Sequence, residues 1–158
     1  MKDAIEIRNF NLNDVEFIYN NWAENPNWQG CNFKKDYNSI KDLIKQWETK
    51  KHNNVYFEQF VILYQNKLVG TISLFEHSSE EVSVGVYVDL PFRNKGIATK
   101  AYKLIENVAK NKNYKQLTAS VLDINIPSLN FHKKLGFKEV DRYYNKNGKL
   151  QIKFLKNL

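Results

Sequence analysis

The sequence predicts an α+β fold built as a single domain over residues 1–158. Strand-like and helix-like hydrophobic patterns alternate along the chain, in the order β-α-α-β-β-β-α-β-α-β-β. The length allows a substantial buried core, and a content of 42% hydrophobic and 14% aromatic residues is typical of globular proteins. We find no internal repeat or linker, because the chain has only 6 Gly and 3 Pro.

The chain begins with a predicted strand and a predicted helix. Isoleucines alternate with charged residues over residues 5–8, which indicates a short strand. Apolar residues at helical spacing then predict a helix through residues 15–22, with Asn13 or Asp14 as its N-cap. In this helix Trp22 completes the apolar stripe, so we expect it in the core.

A second helix and a meander of strands follow. The helix carries an apolar stripe over residues 40–47 and is opened by Ser39 or Asp36. Three strands are predicted over residues 55–64, 68–75 and 82–88. The first of them is apolar on both faces, which predicts a central place in the sheet.

The C-terminal half predicts two further helices, a strand and a hairpin. Pro127 and Gly136 mark the start and the end of the second of these helices. Asn147-Gly148 is a typical hairpin turn. The predicted elements are a helix over residues 97–108, a strand over 117–122, a helix over 125–135 and hairpin strands over 137–144 and 150–155.

The loop between the third meander strand and the next helix carries the first functional pattern. It reads Arg93-Asn94-Lys95-Gly96-Ile97-Ala98. A helix start presents unpaired N–H groups and partial positive charge, so it binds phosphate well. Gly96 would let the backbone approach an anion, and the basic residues add charge. By itself, one glycine in a basic loop also fits an ordinary strand-to-helix turn.

A second pattern lies one helix and one strand downstream, in Asn125-Ile126-Pro127-Ser128 followed by Phe131-His132-Lys133-Lys134-Leu135-Gly136-Phe137. Together the two patterns resemble the GNAT superfamily (GCN5-related N-acetyltransferases). Its members carry Arg/Gln-x-x-Gly-x-Gly/Ala at the loop and Asn-x-x-Ala/Ser before an aromatic segment ending in Lys-x-Gly-Phe. The order of elements also matches, so the resemblance covers nearly the whole chain.

This resemblance implies an α/β/α layered fold and a cofactor site. The implied sheet is mixed and mostly antiparallel and carries helices on both faces. Its fourth and fifth strands, predicted here over residues 82–88 and 117–122, are implied to splay apart. Acetyl-CoA is the implied cosubstrate, with no metal. Its implied contacts are backbone of Val86, Tyr87 and Val88 for the pantetheine arm, backbone of Arg93, Asn94, Lys95, Gly96, Ile97 and Ala98 for the pyrophosphate, and Asn125, Ser128 and Phe131 for the far side of the arm.

The acid–base residues depart from the family pattern. His132 stands where relatives carry a tyrosine that protonates the leaving thiolate, and it either serves as that acid or packs in the helix stripe. Ser83 stands where many relatives carry a glutamate base. Glu81, on the same strand face, could act directly or through a water, or it is a solvated carboxylate. Tyr143 is a further candidate near the thiolate.

The acceptor side is predicted less specifically. Trp28 lies in a polar loop and is the better candidate for a substrate contact, whereas Tyr144 lines the acceptor site or is a plain strand aromatic. The resemblance implies a primary amine as acceptor, either a small molecule or a peptide N-terminus. The alternative is an acyl-CoA-binding module without catalysis, since both usual acid–base residues are replaced.

Composition narrows the remaining classes of function. The net charge of +7 favours anionic ligands, but no zinc spacing or nucleic-acid-binding pattern accompanies it, so we do not expect nucleic acid as a partner. The single Cys31 excludes an internal disulfide and a cysteine-cluster metal site. Without a signal-like or membrane-spanning segment, we expect a cytoplasmic protein that uses no membrane. The resemblance allows a homodimer, since dimers are common in such folds, although no pattern in the sequence points to one.

Overall fold

The computed structural model describes residues 4–23 and 35–158. Over these residues the chain forms eight strands, mostly antiparallel, and four α-helices, which confirms the predicted mixed fold. The fold divides into two compact units. The first unit comprises Met1–Phe75 and Gly85–Ile105, and the second comprises Glu76–Val84 and Glu106–Leu158. Within the described ranges, no helix is long and apolar enough to cross a membrane.

The strands and helices follow the predicted order, with one short strand added. The strands are β1 (Ile5–Asn9), β2 (Lys51–His52), β3 (Val55–Tyr64), β4 (Lys67–Glu76), β5 (Glu81–Val88), β6 (Gln116–Leu122), β7 (Lys138–Tyr144) and β8 (Leu150–Asn157). The helices are α1 (Val15–Phe17), α2 (Tyr37–Glu48), α3 (Ile97–Asn111) and α4 (Ile126–Lys134). The sequence analysis missed β2, since two residues are too few to show a period.

The first unit contains the strand order β1-β3-β4-β5, with β2 paired to β3. The strand β3 pairs antiparallel with β1 and with β4, so its predicted central place is confirmed. The two N-terminal helical segments bury an aromatic cluster against it. Trp22 is 1% exposed, as expected for a core residue. The rings of Phe10 and Trp47 are 4.7 Å apart between centroids.

The first helical segment begins earlier than predicted. It opens with a 3-10 turn, Leu12–Asp14, continues as α1, and closes with a π-helical turn, Ile18–Trp22. Its N-cap is Asn11, whose side chain accepts the N–H of Asn13 at 2.9 Å. Of the two predicted N-caps, Asp14 directly precedes α1 but makes no side-chain capping bond there, and Asn13 lies within the 3-10 turn. Asp14 instead closes a capping box, because its carboxylate accepts the N–H of Asn11 at 2.9 Å.

The second helix begins as the sequence predicts. Asp36 is the N-cap of α2, and its carboxylate accepts the N–H of Ser39 at 2.8 Å. Of the two predicted openers, the structure therefore selects Asp36. The apolar stripe of α2 faces the core, with Ile40 and Ile44 both 0% exposed.

The second unit contains the strand order β5-β6-β8-β7. The first residues of β5, Glu81 to Ser83, pair in parallel with Gln116 to Thr118 of β6. That β5 and β6 splay apart after these paired residues stays a prediction. The strands β7 and β8 form the predicted hairpin, in which Gly148 adopts a φ of 75° at the turn. All of β7 is exposed, and its register shifts between Glu139 and Asp141.

An unusually close approach of backbone occurs in the first unit at Gly70. A Cβ atom at this position would lie 2.1 Å from the carbonyl oxygen of Tyr87 and 3.0 Å from the Cα of Val88. Only glycine leaves room for this approach, because the obstacle is backbone and cannot rotate away. Gly70 therefore fixes where the end of β5 lies against β4.

We predict that Gly70→Ala destabilises the protein by about 3 kcal/mol or more, because β5 must shift to admit the methyl group. Gly85→Ala is the matched control in the neighbouring strand. Its Cβ would meet the Ser73 hydroxyl at 3.1 Å, and that side chain can rotate. Urea denaturation of both variants measures the difference in the free energy of unfolding. Equal losses in the two variants would contradict the backbone clash.

Candidate active site

The basic loop leads from β5 into α3 through two left-handed residues. Asn94 has a φ of 61° and Gly96 a φ of 75°. The first hydrogen bond of α3 runs from the N–H of Lys100 to the carbonyl of Gly96, at 3.2 Å. The N–H groups of the three residues between them therefore precede the intrahelical ladder. They lie where a helix start accommodates an anion.

Arg93 ties this loop back to β5. Its Nε–H donates to the carbonyl of Val88 at 2.8 Å, and its guanidinium carbon lies 5.7 Å from the ring centroid of Tyr87. Its own N–H donates to the carbonyl of Leu90 at 3.2 Å, which closes the short 3-10 turn Leu90–Phe92. Arg93 is nevertheless exposed, as are the next three residues. The loop thus combines a fixed backbone with accessible positive charge.

Asp89 anchors the start of the loop, and the sequence analysis did not single it out. Its N–H donates to the carbonyl of Val69 at 2.7 Å, and its Oδ1 accepts the indole N–H of Trp22 at 2.8 Å. Burial raises the pKa of the Asp89 carboxyl, and the hydrogen bonds from Trp22 and Tyr87 and the charge of Arg93 oppose that rise only in part. No local pattern marks Asp89, because its partners are distant in sequence.

A cleft of about 670 Å³ opens beside this anchor in the first unit. Its lining combines aromatic rings, one carboxylate and one lysine. The lining residues are Phe17, Asn21, Asn66, Lys67, Leu68, Tyr87, Asp89, Leu90, Pro91 and Phe92. The cleft therefore adjoins the segment that carries the basic loop, and Asp89 contributes to both.

In the second unit, Asn125 is the N-cap of α4. Its side-chain oxygen accepts the N–H of Ser128 at 3.3 Å. Phe131, one turn further along the helix, is half-buried and meets the ring of His132 edge-on at 5.3 Å. The pattern Asn-x-x-Ser is thus a helix cap as well as a family motif. The predicted contacts of Asn125, Ser128 and Phe131 with the cofactor arm stay predictions.

His132 is 4% exposed and packs among aromatic rings. Its ring stacks on Phe154 at 5.7 Å and meets Phe137 edge-on at 5.3 Å. Its Nδ1 lies 2.8 Å from the carbonyl oxygen of Ser128, which can only accept, so Nδ1 carries a proton. Burial lowers the pKa of His132. These surroundings favour the packing alternative, since a neutral imidazole of this tautomer has no proton to donate from Nε2.

Glu81 and Ser83 have different partners, although they lie on one face of β5. A carboxylate oxygen of Glu81 lies 3.2 Å from Nζ of Lys153, on β8, in an ion pair. The hydroxyl of Ser83 lies 2.9 Å from Nε2 of His77, an exposed histidine after β4. His77 was not among the residues singled out from the sequence, and its pairing with Ser83 follows from the hairpin geometry.

The tyrosines near the end of β7 are both exposed. The hydroxyl oxygen of Tyr143 lies 2.8 Å from Oγ of Ser120, on β6, and 2.7 Å from Oε1 of Gln151, on β8. Tyr144 is 73% exposed. The proposed substrate contact Trp28 lies outside the described residues. Within residues 4–23 and 35–158, no group of three or more His, Cys, Asp and Glu could hold a metal ion.

Comparison with known proteins adds a family and a fold. A model of the acetyltransferase (GNAT) family matches residues 17–137. No curated protein matches the chain. Several solved structures match over nearly its full length at identities of 15–20%, which show the fold alone.

Three of these structures illustrate the likeness. Mycobacterium smegmatis RimJ, in complex with a CoA disulfide, has a TM-score of 0.81 at 16% identity and covers 97% of this chain and 81% of its own. The Salmonella typhimurium enzyme that modifies the N-terminal serine of ribosomal protein L7/L12 has a TM-score of 0.78 at 15% identity, covering 98% and 95%. The microcin C7 self-immunity acetyltransferase MccE, with acetyl-CoA and AMP, has a TM-score of 0.77 at 20% identity, covering 98% and 92%.

The raised pKa of Asp89 predicts a pH-dependent cost of ionisation. Folding favours the protonated carboxyl, so its contribution to stability is fully present below the unfolded pKa of about 3.9 and is lost as pH rises through the folded pKa. Asp89→Asn cannot ionise. As pH rises from about 4 to neutrality, we therefore expect the free energy of unfolding of this variant to increase relative to that of the wild type. A difference that is constant across this range, in urea titrations at several pH values, would contradict the assignment.

The lowered pKa of His132 predicts the opposite slope. Folding favours the neutral imidazole, so its contribution is present above the unfolded pKa of about 6.5 and is lost as pH falls through the folded pKa. His132→Asn keeps an N–H for the Ser128 carbonyl but does not titrate. We expect this variant to lose about 2 kcal/mol at pH 8, and less as pH falls below about 6.5. Denaturation curves at both ends of the range test this, and a loss that does not change with pH would refute it.

Proposed function

We propose that this chain moves an acetyl group from acetyl-CoA to a primary amine, by direct attack in a ternary complex. The chain belongs to the acetyltransferase (GNAT) family, and the proposal proceeds from that membership. Members of this family are acetyl-CoA-dependent N-acyltransferases. The observation that carries the proposal is the start of α3, where left-handed Asn94 and Gly96 lead into a 15-residue helix. Such a start suits the pyrophosphate of the cosubstrate.

The loop fits a pyrophosphate in three respects. A Cβ atom at Gly96 would meet nothing within 4 Å, so the backbone there is open to a ligand. The N–H groups of Ile97, Ala98 and Thr99 precede the first bond of the helix. The exposed side chain of Lys95 supplies a charge that can reach an anion.

The remaining cofactor contacts are proposed on the pattern of the family. Backbone groups of Val86, Tyr87 and Val88 would hold the pantetheine arm. Their placement is supported by Gly70, which fixes the end of β5 against β4. Asn125, Ser128 and Phe131 would line the arm from α4. When bound, acetyl-CoA supplies an activated acyl group as a thioester.

The acid–base work is proposed for a small set of side chains. Glu81 and Ser83 face one side of β5, where the resemblance expects a base. Tyr143 or His132 would give a proton to the leaving thiolate. The structure supports Tyr143 over His132, because Tyr143 is 38% exposed while the imidazole is buried and its Nδ1–H is engaged by the carbonyl of Ser128. A tyrosine held by two neighbouring polar groups can donate a proton and recover it from solvent.

The acceptor is proposed to be a small amine or a peptide N-terminus. The fold of enzymes that modify the N-terminus of a ribosomal protein supports the second possibility, and that of MccE leaves the first open. Trp28 and Tyr144 are the proposed acceptor contacts. Incubation with acetyl-CoA and a panel of polyamines, aminoglycosides and N-terminal peptides, with free thiol as the readout, tests the reaction. CoA binding without turnover across the panel would favour a non-catalytic acyl-CoA-binding module.

Gly96→Ala tests the pyrophosphate cradle directly. An alanine resists a φ of 75°, so the loop would move and its N–H groups would turn from the ligand. We expect the affinity for CoA, measured by calorimetry, to fall about tenfold or more, which corresponds to about 1.4 kcal/mol. Gly148→Ala is a matched control, because Gly148 has the same φ of 75° and no neighbour within 4 Å of a Cβ. Equal affinity in the two variants would reject the cradle.

A further inference from the structure

We propose that His77, acting through the hydroxyl of Ser83, accepts the proton that the amine must lose before it attacks. This inference rests on the proposed function and adds to it a residue that acts on the amine through Ser83. The motivating observation is the separation of 2.9 Å between Nε2 of His77 and Oγ of Ser83. An imidazole that accepts from a serine hydroxyl can draw a proton through it.

The turn between β4 and β5 holds the two side chains in register. The N–H groups of His77 and Ser78 both donate to the carbonyl of Glu81, at 2.9 and 3.2 Å. The hydroxyl of Ser78 accepts the N–H groups of Glu80 and Glu81 at 3.2 and 3.1 Å. Four hydrogen bonds thus close a short turn. The position of His77 relative to β5 is set by backbone and does not depend on a long flexible side chain.

Ser83 lies at the appropriate place on β5. It occupies the position at which the resemblance expects a carboxylate base, and it precedes Val86 by three residues, or about 10 Å along an extended strand. Val86 to Val88 are the backbone proposed for the pantetheine arm. The thioester end of that arm would therefore lie toward Ser83. A serine alone is a poor base, but a serine paired with an imidazole is an effective one.

The other candidate bases are less suited to this task. The Glu81 carboxylate is engaged with the ammonium of Lys153 at 3.2 Å. His132 is buried and stacked on Phe154. His77, in contrast, is exposed, so its imidazole can exchange protons with solvent after each turnover.

Charged groups near His77 come from both elements of the second unit that flank the turn. On the turn itself, Glu80 is exposed and Glu81 is paired with Lys153 of β8. At the end of β4, the Glu76 carboxylate accepts the hydroxyl of Tyr114 at 2.7 Å. The charged side chains of the turn and of the strand ends that flank it are therefore carboxylates.

The proposed step combines a proton transfer through Ser83 to His77 with transfer of the acyl group from sulfur to nitrogen. His77 begins with its proton on Nδ1, and its Nε2 takes the Ser83 hydroxyl proton as that oxygen takes one from the alkylammonium. The amine nitrogen then bonds to the thioester carbonyl carbon, and the carbon–sulfur bond breaks with its electron pair on sulfur. The ammonium loses two protons in all. One ends on the CoA thiol, and the other passes from His77 to solvent.

A pH profile of His77→Gln tests the step, with an alkylamine that the wild type acetylates. At pH 7 we expect kcat/KM for the amine to fall about 10²-fold, because glutamine cannot take up the proton. The deficit should shrink toward pH 10, where an alkylamine of pKa about 10.4 arrives partly deprotonated. Ser83→Ala should behave in the same way, whereas Ser83→Thr, which keeps the hydroxyl, should retain most activity.

Two controls separate a catalytic role from a structural one. The affinity for CoA should not change in His77→Gln, and His52→Gln should leave the rate unchanged. A deficit of the same size at every pH, a loss of CoA affinity, or a fully active His77→Gln would each overturn the proposal. A wild-type protein that acetylates no amine would instead refute the proposed function. The two failures are therefore distinguishable.

Discussion

The proposed cofactor site depends on the contacts that fix the last residues of β5 in place. Gly70 lets the backbone of Tyr87 approach to a distance that no side chain would permit, and Asp89 then bonds both to the backbone of β4 and to the indole of Trp22. Arg93 closes the segment by donating back to β5. Backbone groups bind a pyrophosphate more tightly when they are held in place before it arrives, and these contacts hold the segment that leads to the loop. Burial raises the pKa of Asp89, so ionising this anchor costs free energy.

The same segment shows what could be predicted from sequence. The glycine loop and the following helix were predictable, because positive φ values and helix starts depend on a few adjacent residues. The Asp89–Trp22 bond was not, because its partners are separated by 67 residues and no periodicity connects them. The misassigned cap of the first helix has a local cause. Asn11, Asn13 and Asp14 are all residue types that cap helices, and the extended backbone of Asn11, with a ψ of 173°, decides which one does.

The acid–base chemistry was the least predictable part of the site. Sequence comparison with the family identifies His132 and Ser83 as departures, but it cannot show what the departures do. The structure buries His132 in an aromatic cluster and brings His77 beside Ser83. In the proposed mechanism, a histidine–serine pair does the work for which relatives use a glutamate, and this replacement would change the pH dependence of the reaction. Such an exchange is visible only in three dimensions.

The hairpin strand β7 has a consequence for how the protein behaves at high concentration. It lies at the end of the strand order and is exposed along its whole length. An edge of this kind can recruit a strand from another molecule. Here Lys138, Glu139, Asp141 and Arg142 place charges along the edge, and the register between β7 and β8 shifts after Glu139, an irregularity of the kind that discourages regular strand pairing. We expect these features to oppose strand addition, so the molecules should not polymerise through β7 at high protein concentration.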